Sequence, residues 1–369
     1  MNQDEVSQDQ VIAALDSCID PNTDKPFTHG RAVKNINIDN TSSGAQISLD
    51  VELSYPAASQ IAHLRGLILT PLAAMGFVHI HANVYTKIVA RAVQPGVKVL
   101  PGVKNIIAVA SGKGGVGKST TAVNIALALA AEGAVVGILD ADIYGPSQMM
   151  MLGLSGRPES TDGKTLQPFR AHGIAAMSIG GLVDVDTPMV WRGPMATQAL
   201  EQLLNQTNWG DLDYLIVDMP PGTGDIQLTL SQKVPVTGAV IVTTPQDIAL
   251  LDARKGLKMF EKVNIPILGV VENMAMHVCT QCGHTEHIFG ADGGKRMAEQ
   301  YNVNYLGALP LDITIRESTD AGVPTVAVAP QSELAQIYGA IARKIAVKVA
   351  EKAKDFSLKM PSISISKTT

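Results

Sequence analysis

No ten residues constrain this chain more than SGKGGVGKST, residues 111–120. The frame Gly112-x4-Gly117-Lys118-Ser119 binds phosphate when an apolar strand leads into it and a helix leaves it. The sequence offers both: NIIAVA runs into the loop, and residues 119–132 carry apolar side chains at helical spacing. Gly114, Gly115 and Gly117 can take positive φ, so N–H groups along the loop from Gly112 through Val116 to Thr120 can converge on phosphate oxygens. The helix N-terminus adds partial positive charge. In such a loop Lys118 reaches the β- and γ-phosphates of ATP, and the Ser119 hydroxyl ligates Mg²⁺. A second lysine, Lys113, stands five residues upstream of the first.

Two acidic segments belong to the same chemistry. DYLIVDMPPGTGD ends an apolar strand in Asp218, where a carboxylate holds Mg²⁺, with Gly222 and Gly224 following as a switch able to sense the γ-phosphate. GILDADIYGPS brings Asp140 and Asp142 to another strand end. Asp142 is expected to orient the attacking water, and Asp140 to support the Mg²⁺ shell.

From residue 105 onward the pattern alternates. NIIAVA, VVGILD, DYLIVD, GAVIVTT, ILGVVEN and YLGALP are short apolar runs suited to strands buried on both faces of a parallel sheet. Helical spacing over 119–132, 196–205 and 248–263 separates several of them. The expected fold is α/β, with a doubly wound, mostly parallel sheet over 105–355. A small α+β unit is expected at 1–86: a helix over 4–16, a strand in which Ala45, Ile47, Leu49, Val51 and Leu53 share a face, a helix over 57–75, and a strand with Val78, Ile80, Ala82 and Val84 inward. His79 and His81 then point outward. Residues 87–104, with two Pro-Gly pairs, read as a linker, and 356–369 as a flexible tail.

A net charge of −5 gives no general footing for nucleic acid. The polar, acidic start is unlike a secretory signal, no apolar run approaches the ~20 residues of a membrane span, and three cysteines make no disulfide framework. The expected location is the cytoplasm, with neither nucleic acid nor membrane as partner. Two cysteines do fall together in HVCTQCGHTEHIFG. Thiolates of Cys279 and Cys282 can hold one metal centre from a tight turn. Structural zinc and four-iron clusters want four protein ligands, and one chain offers two here, with Cys18 far off in the other unit. A two-fold dimer would bring four thiolates together. An intrachain zinc site using His277, His284 or His287 is the rival.

The loop with its extra lysine, together with DAD and DMPPGTGD, resembles the MinD/ParA-type deviant Walker ATPases. That resemblance implies a nucleotide-sandwiched homodimer in which Lys113 touches the phosphates of the facing subunit. DADIYGPS, MVWRGPM at 189–195, DMPPGTGDIQLTL, TTPQDIALLDARKG and VVENM narrow it: over 104–324 the chain resembles the Mrp/ApbC-type iron–sulfur cluster carrier ATPases. The implied activity is ATP hydrolysis coupled to carrying a [4Fe-4S] cluster, bridged between subunits, from cluster donors to apo iron–sulfur proteins. Asn273 in VVENM would contact the adenine. The first unit is similar to the small domain of iron–sulfur assembly factors. A spatial regulator of the MinD/ParA kind is the competing class, with the lysine-rich IARKIAVKVAEKAK as its membrane-seeking helix, and a zinc-stabilised ATPase the third.

Overall fold

The computed structural model describes residues 6–41, 44–94, 96–160, 162–182 and 193–354. Trp191, Arg192 and the tail after 354 lie outside them. An eight-stranded sheet dominates, in the spatial order Tyr305–Ala308, Ile267–Glu272, Gly238–Thr243, Val103–Ala110, Leu212–Asp218, Val136–Asp140, Ile174–Ser178 and Phe169–Ala171. All neighbours pair in parallel except the last two, which form an antiparallel edge. Strand Val103–Ala110 sits at the centre with its last six residues buried, as expected of a run covered by helices on both faces. The sequence reading missed the edge pair.

Helix Lys118–Ala131 leaves the central strand and is buried almost throughout, with Ala122, Val123, Ile125, Ala126 and Leu129 fully sealed. Helix Glu333–Ala350 packs on it through Ile341, Ile345 and Val349, all nearly sealed from solvent. The apolar face that a membrane-seeking helix would need is thus already used inside the fold. No helix among the described residues is long and apolar enough to cross a membrane.

The small unit forms a three-stranded sheet in the order Val33–Thr41, Gly44–Leu53, His79–Thr86. Along the middle strand Ile47, Leu49, Val51 and Leu53 alternate inward, as the period of two required. Leu64, Ile68 and Leu72 of helix Ile61–Ala74 lie one turn apart and pack against them. Burying each such side chain contributes about 1.5–3 kcal/mol. Helix Gln8–Asp16 starts later than expected because Ser7 and Gln10 form a capping box. Val78 is exposed and falls just before its strand, contrary to the inward position expected of it. His79 and His81 are exposed.

Three elements meet at Glu132, which ends the phosphate-loop helix. Its carboxylate accepts the Ser59 N–H at 3.0 Å and the Ser59 hydroxyl at 2.7 Å, and is ion-paired with Arg343 of the closing helix. The stretch between the two units is extended but pinned: Arg91 and Gln94 are buried, and Gln94 donates to the Ser231 and Val234 carbonyls. Its end, expected as linker to residue 104, already belongs to strand Val103–Ala110.

Candidate functional site

The phosphate loop turns at the C-terminal end of the central strand. Gly115 and Gly117 have φ of 82° and 80°, and Gly117 caps the helix that begins at Lys118. Two close approaches fix the loop from below. A Cβ on Gly112 would fall 2.1 Å from the Asp252 carbonyl carbon, and one on Gly117 would fall 2.1 Å from the Asn273 amide nitrogen. Gly117→Ala therefore combines left-handed strain with a clash. It should destabilise the chain by about 1–3 kcal/mol and remove nucleotide binding. A thermal melt and a nucleotide titration check this; an unaltered variant would contradict the loop geometry.

A cavity of about 210 Å³ opens above the loop, lined by Lys113, Gly115, Lys118, Ser119, Thr120 and Asp142 among others. Lys118 is buried, its Nζ paired with Asp218 Oδ1, 3.1 Å from Ser119 Oγ and 4.0 Å from Asp142 Oδ2. Asp218 is fully buried at the end of the neighbouring strand. Burial pushes the Asp142 carboxyl above its ordinary range, opposed by the charge of Lys118. Gly222, with φ of 96°, donates its N–H to the Ser111 carbonyl, so the DMPPGTGD turn touches the loop directly.

Asp140 and Asp142 separate into different roles. Asp140 is fully buried, and its carboxylate accepts N–H groups of Asp142, Ser147 and Gln148 and the Ser178 hydroxyl, all at 3.0–3.1 Å. Burial and the charge of Asp218 push its pKa up to about 7. Both oxygens thus hold the 142–148 turn in place, and the place in the Mg²⁺ shell expected of it does not fit this arrangement. Asn273, expected at the adenine, donates from Nδ2 to the Val116 carbonyl at 2.8 Å and so braces the loop from behind.

Sequence reasoning missed Gln148. Its Nε2 donates to Asp218 Oδ2 at 2.9 Å and to the Ser119 carbonyl at 3.1 Å, while its N–H goes to Asp140. One buried amide thus joins the loop, the Asp218 strand and the Asp140 turn. Its Oε1 is buried without a donor. The Ser119 hydroxyl, in the cavity lining, and the Asp218 carboxylate, both within reach of Lys118 Nζ, are hard oxygen donors of the kind that hold hydrated Mg²⁺.

The thiols occupy a second place. Strands His277–Val278 and Thr285–Glu286 pair antiparallel, and Cys279 and Cys282 sit in the turn between them. The turn is closed by Cys279 N–H to the His284 carbonyl and Gly283 N–H to the Cys279 carbonyl, each 2.9 Å. N–H groups of Gln281 and Cys282 aim at the Cys279 sulfur and hold its thiol below the ordinary range, favouring thiolate. His277 and His287 are each bonded through Nδ1 to a backbone carbonyl, of Leu311 and Ala275. Among the described residues no three His, Cys, Asp or Glu side chains converge as a metal site. The chain supplies two thiols in one turn, and the Cys₂His₂ zinc reading finds no support.

A family model described as "NUBPL iron-transfer P-loop NTPase" matches residues 102–346. The chain belongs to the NUBPL-type iron-transfer P-loop NTPase family. A second model, "Iron-sulfur cluster assembly protein", matches residues 8–75 of this NUBPL-type chain. The iron–sulfur cluster carrier protein of Synechocystis is 45% identical over 357 residues, covering 94% of this chain and 98% of that protein. Among solved structures, a nucleotide-binding protein from Archaeoglobus fulgidus in complex with ADP superposes with a TM-score of 0.54 at 37% identity, over 60% of this chain and 87% of that one. The cell division ATPase MinD of Pyrococcus furiosus, 23% identical with a TM-score of 0.51 over 65% and 98% of the two chains, shares the fold. The resemblance to MinD/ParA-like ATPases and to iron–sulfur cluster carriers drawn from the motifs therefore holds.

Proposed function

We propose that the chain is an ATP hydrolase that carries a [4Fe-4S] cluster between two copies of itself and delivers it to apo-proteins. The observation that carries this reading is the two-thiol turn on a nucleotide-binding fold: Cys279 and Cys282 supply half of a four-thiolate set, and a second copy supplies the rest.

In this reading the N–H groups of Gly114 to Lys118 cradle the β- and γ-phosphates, and Asn273 keeps the loop in register while lying near the adenine. Mg²⁺, held by the Ser119 hydroxyl and by Asp218 through water, would neutralise charge on the phosphate oxygens. An arriving phosphate draws Lys118 away from Asp218. Asp142, beside Lys118 at the mouth, orients the attacking water. Lys113 reaches across to the facing subunit. Release of the Lys118 contact to Asp218 alters the DMPPGTGD turn and so the fit of the two copies, which links nucleotide state to cluster retention.

Reconstituted anaerobically with iron and sulfide, the protein should hold about four irons and four sulfides per two chains. Zinc in place of iron, or one iron per chain without sulfide, would defeat the reading.

A further inference from the structure

Between the small unit and the end of the closing helix lies a cavity of about 400 Å³, remote from the phosphate loop and the thiol turn. Lys25, Arg31, Lys87, Arg91, Lys352 and Lys354 line it. This concentration of positive charge is local, because the chain as a whole carries −5.

The three carboxylates in the lining are already engaged. Asp20 accepts the Tyr55 hydroxyl at 2.7 Å. Glu52 lies 2.7 Å from Lys34 and 3.6 Å from Lys87, and Glu351 lies 2.8 Å from Lys25 and 3.0 Å from Lys348. Arg31, Arg91, Lys352 and Lys354 have no carboxylate within ion-pair distance among the described residues.

Arg91 makes this arrangement costly without a ligand. Only 6% of it is exposed, and its guanidinium donates to the Lys352 carbonyl at 3.1 Å. Arginine does not escape burial by losing its proton, so a guanidinium removed from water calls for an opposing charge. Its planar fork suits carboxylate or phosphate oxygens. The cations also come from different parts of the chain: Arg31 from the small unit, Arg91 from the connecting stretch, and Lys352 and Lys354 from just past helix Glu333–Ala350.

We propose that this cavity binds a small multivalent oxyanion, a phosphate ester or a polycarboxylate, held by Arg91 with Arg31, Lys352 and Lys354. The bound anion ties the small unit to the closing helix, and through the Glu132–Arg343 pair to the phosphate-loop helix.

The test is isothermal titration of the full chain, kept saturated with ADP so that the phosphate loop is filled, using inorganic pyrophosphate and tricarballylate in parallel. At least one probe should bind once per chain, more weakly as salt rises. Arg91→Gln should weaken binding about tenfold or more. Because Arg91 is buried, a second variant, Arg31→Gln with Lys354→Gln, changes only exposed side chains. It should weaken the same event severalfold while ADP affinity stays unchanged. Binding by pyrophosphate alone assigns the site to phosphate esters, and binding by tricarballylate alone to polycarboxylates. Binding of neither probe, or equal affinity in both variants and the parent, would overturn the proposal.

Discussion

Replacing Lys113 by alanine should leave ATP bound yet slow its hydrolysis by about 10³-fold or more, the scale of a charge supplied in trans to a phosphoryl transition state. In the proposed mechanism Lys118 serves the phosphates from within, and in the structure it is buried and paired with Asp218. Lys113 is different: half-buried at the cavity mouth, it has no carboxylate within ion-pair distance among the described residues. The decisive form of the test mixes two defective chains, Lys113→Ala and Asp142→Asn. Each is inactive alone, but a mixed pair contains one site with an intact Asp142 and a facing intact Lys113. Recovered turnover in the mixture supports action across the dimer; none at any mixing ratio contradicts it.

Replacing both Cys279 and Cys282 by alanine should abolish iron binding, from about four irons per two chains to none, while ATP affinity stays close to that of the parent. Separation of the two sites is the reason. The thiol turn closes through its own backbone bonds and, among the described residues, shares no hydrogen bond with the phosphate loop. Single replacements should also fail, since each removes two of four thiolates from a symmetric pair. Full iron content in the double variant, read by metal and sulfide analysis, would place the cluster elsewhere and refute the assignment.

Much of this was legible from sequence, for physical reasons. Short, uninterrupted apolar runs such as DYLIVD and GAVIVTT suit buried parallel strands, and the phosphate loop announces itself because glycine is obligatory where Gly117 turns with positive φ against Asn273. The short strand Ile174–Ser178 escaped notice because its sequence, IAAMS, has weak strand preference and is buried only through its neighbours. At the site, spacing alone does not reveal that Asp142 lines the loop cavity while Asp140 is bonded to its own turn and Ser178. That depends on how the 142–148 turn folds back, which also delivers Gln148 between Ser119 and Asp218. Tertiary placement gave an ordinary glutamine its position.

The most direct measurement is native mass spectrometry under anaerobic conditions on the protein loaded with iron, sulfide and ATP. The account predicts that cluster mass appears only on species of two chains, one four-iron cluster to each pair, and that single chains are iron-free. A single chain carrying an intact cluster would contradict it.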